Sequence, residues 1–304
     1  MTAVPLDPAV AASRPSRFMR IVKSAPMRIV IGAVLLLLTA ALSFGLIKAA
    51  VPAAAARFVW PYLLITVLLG MMYWLYVRLM EGRRSLPEFT LPGAPAEFGV
   101  GLLLGAGAVA LAMGLLAASG NYQVTGMNPW SAKIAGPLAE MLFVGVFEEL
   151  LFRAVLFRIT ERALGSWPAL VISSVLFALA HLGESISFLG LANTAVAGLA
   201  LSAAWMATRR LWLCVAIHAA WNYTLGSIFS IAVSGHPAKG LVIGAMSGPD
   251  WVTGGVYGLE GSVTTLLVMG LLAVILLRRA RVKGSVLPSR WRAAGRGAAR
   301  DAMI

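Results

Sequence analysis

Charge is what this sequence has least of. Only 12% of its 304 residues are Asp, Glu, Lys or Arg, where a soluble domain carries about a quarter. With 60% apolar residues and a mean hydropathy of +0.85, a soluble globular domain is excluded and a polytopic membrane protein remains. Acidic residues are scarcer than basic ones, 12 against 25, for a net charge of +13. That excess does not mark a nucleic-acid binder, because the basic residues sit between apolar runs and not on one face of a soluble fold. Cysteine is nearly absent: Cys214 stands alone, so no disulfide can form within the chain, and its place in an apolar run makes it a packing residue. No internal repeat is visible, which counts against a transporter built from inverted halves.

Apolar stretches near the roughly 20 residues that cross a bilayer predict an all-α membrane bundle of about eight transmembrane helices. They lie at 29–47, 58–77, 98–118, 134–159, 168–182, 188–208, 211–233 and 263–277, the fifth being short. The chain then divides into a basic N-terminus (1–28), three accessory helices (29–133), a four-helix core (134–233), an outer loop (234–262), a last helix (263–277) and a basic tail (278–304). Basic residues favour the cytoplasmic side of a membrane. With the N-terminus inside, 20 of the 25 fall on that side, only Lys48, Arg57, Lys133 and Lys239 fall outside, and Arg153 lies within the bilayer. Both termini are therefore expected in the cytoplasm. The alanines at 53–56 resemble a signal-peptidase site, but the lead and span before them are long for a signal peptide, so an uncleaved anchor is expected. The Arg-, Gly- and Ala-rich tail is expected to bind anionic lipid headgroups.

Nearly all intramembrane ionisable residues fall in the core, 134–233, and are the candidates for chemistry. Phe147-Glu148-Glu149-Leu150-Leu151-Phe152-Arg153 places two carboxylates and a guanidinium in an apolar run, where each charge costs about 2.5–3.5 kcal/mol on insertion scales. Glu149 and Arg153 are four apart with the acid first, the favourable order for a helical ion pair. Glu148 is turned about 100° from its neighbour, so it is left without that partner and free to act as a general base near neutral pH. The bland alternative is that all three merely lock helices together.

Two of the three histidines lie in predicted spans. His181 follows Phe177 by four residues and His218 precedes Asn222 by four, so each pair shares a helix face. A lone span histidine is commonly a helix-to-helix hydrogen-bonder. Counted from the cytoplasmic helix ends, Glu148, His218 and His181 lie roughly 18, 10 and 20 Å deep, within reach of one another in a core about 30 Å thick. Other features have plain readings: Glu140 as an interfacial acid, His236 as a solvated loop residue, and Gly101-x-x-x-Gly105 as a helix-packing contact.

Glu148-Glu149-x-x-x-Arg153, Phe177-x-x-x-His181 and His218-x-x-x-Asn222, in this order on successive helices, resemble the motifs of the CPBP family. These are the CAAX-protease and bacteriocin-processing intramembrane endopeptidases, also called the Abi family. Glu81-Gly82-Arg83-Arg84 followed by Pro87 adds a weaker similarity, an arginine-rich loop before the third span. The resemblance implies that Glu148 activates the hydrolytic water with help from His181, that His218 and Asn222 hold the oxyanion, and that Glu149 and Arg153 support them. It implies no covalent acyl-enzyme and no cofactor.

Zinc is the competing mechanism. Glu148, His181 and His218 make up a two-histidine, one-carboxylate ligand set, but the chain has no His-Glu-x-x-His helix, and Asn222 suits an oxyanion donor better than a ligand. Two non-protease readings stand beside these: an idle membrane scaffold or regulator of the same fold, and a proton-coupled transporter using the glutamates as a relay. The expected partners are a peptide or membrane-protein substrate and the lipid bilayer, with no nucleic acid, and the expected place is a bacterial cytoplasmic membrane. Access is left open between the cytoplasm and the lipid side, with the cytoplasmic sides of the fourth and seventh spans as plausible openings.

Overall fold

The computed structural model describes residues 17–52, 59–183 and 186–289. The basic N-terminal residues before 17, the alanines at 53–56, Arg57 and the tail from 290 lie outside the described residues, as do the expectations placed on them. The structure is 74% helix, with one small two-stranded sheet.

A short α1 (Arg17–Val22) precedes three long apolar helices, α2 (Ala25–Ala50), α3 (Trp60–Glu81) and α4 (Ala94–Ala118). Each of the three opens with proline in its first turn, where the missing N–H would have had no helical partner. Gly82 then ends α3 in the left-handed region at φ 68, a conformation that costs glycine little. After β1 (Tyr122–Met127) and a single turn, α5 (Ala132–Ala135), the chain enters α6 (Pro137–Glu149). That helix continues through a π-helical stretch, Leu150–Phe157, into α7 (Arg158–Leu164). There follow α8 (Ser166–Ala180), α9 (Phe188–Thr208) and α10 (Trp212–Tyr223), the last extended by a π-helical Thr224–Ile228. β2 (Val242–Met246), α11 (Asp250–Thr253) and α12 (Val263–Val282) complete the described chain.

Each predicted apolar segment is helical over most of its described length, but among the described residues only α2, α3, α4, α9 and α12 are long and apolar enough to cross a membrane. The fourth and seventh segments are built from α and π pieces, and α8 has 15 residues, about 22 Å. Among the limits, α2 starts before 29, α8 stops short of 182 and α12 runs past 277. The sheet departs from the all-α expectation. β1 and β2 pair antiparallel, Tyr122 opposite Met246, with an irregularity between Val124 and Gly126. They come from loops far apart in sequence, so no hairpin signal announced them.

Leu46, Leu79 and Leu103 are 68%, 70% and 75% exposed, an outward apolar surface that suits lipid and not water. Inside, α10 is held between α4 and α6 by small residues. A Cβ on Gly101 of α4 would stand 2.5 Å from the Ala216 Cβ, Gly105 abuts the Ile217 carbonyl and Ala220, and Gly145 of α6 lies 3.2 Å from the Val215 carbonyl on the same measure. The glycine pair is the packing contact its spacing predicts. One end of the bundle carries the 82–93 and 209–211 turns and the C-terminal end of α12, tied by Leu211 N–H to the Glu88 carbonyl at 3.0 Å and Ser166 N–H to the Leu287 carbonyl at 3.1 Å. The sheet lies at the other end.

Candidate active site

Arg153 stands in the π-helical stretch that follows Glu149, a helix irregularity common at functional sites. Both side chains are fully buried. The guanidinium donates to Glu149 Oε1 at 2.9 Å and to the Gly198 carbonyl at 3.1 Å, and its carbon lies 4.6 Å from the centroid of the Phe177 ring. Gly198 permits this because a Cβ there would crowd Phe177 and the Ser174 backbone. The expected pair is present. Its carboxylate does more than the spacing predicts: Glu149 Oε1 also lies 2.9 Å from His218 Nδ1. Glu149 and the histidine come from α6 and α10, whose close approach Gly145 allows.

His181 caps the C-terminal end of α8. Its Nδ1 lies 2.8 Å from the carbonyl of Phe177. A carbonyl can only accept, so Nδ1 carries the hydrogen. By the same logic Glu149, an acceptor paired with Arg153, assigns a hydrogen to His218 Nδ1. Both Nε2 atoms are thereby left facing the same carboxylate. Glu148 Oε2 is 3.7 Å from His181 Nε2 and 3.8 Å from His218 Nε2, too far for a hydrogen bond, and it has no hydrogen-bond partner of its own. One turn along α10, Asn222 is 7% exposed and forms no side-chain hydrogen bond among the described residues.

These groups share a cavity of about 550 Å³ lined by Glu148, Phe177, His181, His218, Trp221 and Asn222 among others. Among the further polar residues that line it, Asn193 and Glu260 are ones that sequence reasoning passed over. Asn193 of α9 donates both amide hydrogens, to the carbonyls of Glu260 and Ser262 at 2.7 Å each, which fixes its orientation and leaves Oδ1 buried without a partner. Glu260, just before α12, accepts from Trp221 Nε1 at 3.0 Å and from the Ser234 N–H. Burial pushes its carboxyl above the ordinary range, against the pull of the Ser234 and Trp221 hydrogen bonds. An asparagine within a predicted span was the available signal for the first; Glu260, outside any span, offered none.

The cavity takes residues from Pro137, Glu140, His236 and Lys239 at the sheet end and none from the 82–93 or 209–211 turns. Glu140 and His236 are thus rim residues of the cavity and not merely interfacial or loop residues. Cys214 is fully buried with Sγ against the Arg210 and Leu211 carbonyls at 3.7 and 3.3 Å, a packing position. Glu148, His181 and His218 converge, but no group of three His, Cys, Asp or Glu among the described residues is arranged to hold a metal ion.

No curated protein matches the chain. Residues 130–224, which hold all three motifs, match the family model described as type II CAAX prenyl endopeptidase Rce1-like, a match that supports the resemblance to the CPBP family of CAAX-type proteases.

Proposed function

We propose that the chain is an intramembrane endopeptidase that hydrolyses peptide bonds with a glutamate-activated water. The observation that carries this reading is Glu148 Oε2, without a partner and nearly equidistant from two imidazole nitrogens in a cavity that also holds Asn222. A water seated among these three atoms would lose its proton to Glu148 as its oxygen attacks the peptide carbonyl; a general base so placed contributes about 10²–10⁴-fold. His181, with Nδ1 committed to Phe177, presents Nε2 to the same proton and assists its transfer to the leaving amine. His218 can donate from Nε2 to the oxyanion only when both ring nitrogens carry hydrogen, and Glu149 is the carboxylate that stabilises that imidazolium. Asn222 supplies the second donor. Each such donor is worth about 2.7–4 kcal/mol of transition-state stabilisation. The orphaned Asn193 Oδ1 offers an acceptor for a backbone N–H of the substrate.

Charge balance supports the arrangement. Two carboxylates, the Arg153 guanidinium and the His218 imidazolium neutralise one another, which lowers the cost of holding four charges at bilayer depth. We place the protein in a bacterial cytoplasmic membrane with both termini inside, as its basic residues favour.

The test compares peptide termini in membranes of cells carrying wild type or Glu148→Gln. At least one terminus is expected to vanish in the variant; identical sets would leave the scaffold and relay readings in its place, and ion flux would then choose between them. Metal dependence is read separately: protein stripped by chelation and shown metal-free is expected to keep its activity, and recovery only on adding zinc would restore the ligand-set reading of Glu148, His181 and His218.

A further inference from the structure

We infer that the substrate reaches Glu148 from the membrane face opposite the basic loops, so that the substrate class is a peptide or membrane-protein segment exposed on the non-cytoplasmic side. This rests on the endopeptidase reading for its chemistry and on the placement of the cavity for its direction.

Each helix contributes to the cavity from the part nearer the sheet. α8 gives Phe177 and its cap His181, α12 gives Thr265 and Met269 from its beginning, and the rim is formed by exposed His236 and Lys239. The opposite side is filled. Leu150, Phe157, Ile159, Met206 and Leu211 are each 1% exposed or less, and together they close the bundle between the site and the basic turns. A chain arriving from that side would have to part a packed core, which interiors at crystal-like density resist.

Orientation follows from charge. Arg78, Arg83, Arg84, Arg162, Arg209 and Arg210 lie at the packed end, with the four basic residues of 278–283. The sheet end of the described chain carries Lys48, Lys133 and Lys239. Such asymmetry places the packed end in the cytoplasm, and the mouth outside. Glu148 lies eleven residues in from Pro137, roughly 16 Å along the helix, a distance that an extended chain spans in about five residues. The substrate therefore needs a short unfolded stretch on the outer side. A tail confined to the cytoplasm has no open route to the carboxylate.

The experiment uses the full-length protein in intact cells. Lys239→Cys marks the rim and Arg84→Cys the packed end, both at exposed positions, with wild type as the blank because Cys214 is fully buried. A membrane-impermeant maleimide is expected to label Lys239→Cys in intact cells and Arg84→Cys only after permeabilisation. A bulky reagent on Lys239→Cys is expected to suppress the termini that depend on Glu148, and those termini are expected on non-cytoplasmic segments. The reverse labelling pattern, or Glu148-dependent termini on cytoplasmic segments, overturns the inference while leaving the protease reading in place. Absence of any Glu148-dependent terminus removes the protease reading and the substrate with it, whatever the labelling shows.

Discussion

Glu148 and Glu149 are neighbours in sequence with opposite surroundings. Glu149 is fully buried and accepts from Arg153 and His218 through one oxygen, whereas Glu148 faces the cavity with Oε2 unpartnered. Removing one member of a buried pair leaves an uncompensated charge, at a cost of about 3–5 kcal/mol. Arg153→Met is therefore expected to lower thermal stability in detergent by that order. Glu148→Gln removes no hydrogen bond of Oε2 and is expected to stay within about 1 kcal/mol of wild type; an equal loss in both would sink the division of labour. Glu260 adds a pH dependence. Burial raises its carboxyl, so the folded protein holds that proton more tightly than the unfolded chain. The resulting stability is present below the ordinary carboxylate range and is lost as pH rises through the raised value. Glu260→Gln lacks this titration, so its stability deficit relative to wild type is expected to narrow from about pH 4 towards neutrality, and a constant gap would show that Glu260 does not titrate this way. The Glu149–Arg153 pair was legible because helical spacing determines it. The bond from Glu149 to His218 was not, since it joins helices 69 residues apart.

At the scale of elements, the site depends on how closely α10 can lie against its neighbours. Gly105 has no room for a side chain beside Ile217 and Ala220, whereas Gly107 on the same helix faces open space. Gly105→Val is expected to push α4 from α10, costing about 1–3 kcal/mol, and to lower kcat by displacing His218 and Asn222. Gly107→Val is expected to be silent in both measurements; equal effects would mean that the helix and not the contact is sensitive. The glycine spacing could be read from the sequence because small residues four apart carry one physical meaning in membranes. The π-helical stretches after Glu149 and Tyr223 could not, because nothing in the local composition separates them from α-helix. His181, one residue before the end of its predicted span, caps α8, and that end position lets Nδ1 meet the Phe177 carbonyl while Nε2 faces Glu148.

Over the described molecule, two groups of buried charge have different purposes. One is the cavity. The other is a clamp at the packed end, where Arg158 grips Glu81 through two hydrogen bonds of 2.8 and 2.7 Å. Arg83 reaches Glu81 and Glu88 at 2.9 and 2.7 Å, and Tyr73 donates to Glu88 at 3.1 Å. By sequence Arg158 was one more cytoplasmic basic residue. It is in fact 4% exposed, and it binds the fourth predicted span to the end of α3 and the turn that follows. Arg158 is ten residues beyond Glu148, roughly 15 Å along the helix, with packed apolar side chains between. The clamp should therefore hold the fold and leave the chemistry alone. Arg158→Met is expected to lose about 3–5 kcal/mol of stability, as for any broken buried pair, while the molecules that remain folded cleave at the wild-type rate. The measurement needs the two quantities apart: the folded fraction by size-exclusion chromatography with a thermal melt, and the rate of appearance of Glu148-dependent termini per folded molecule. A rate per folded molecule that falls as far as that of Glu148→Gln would make the clamp part of the catalytic machinery and remove the separation between the two ends.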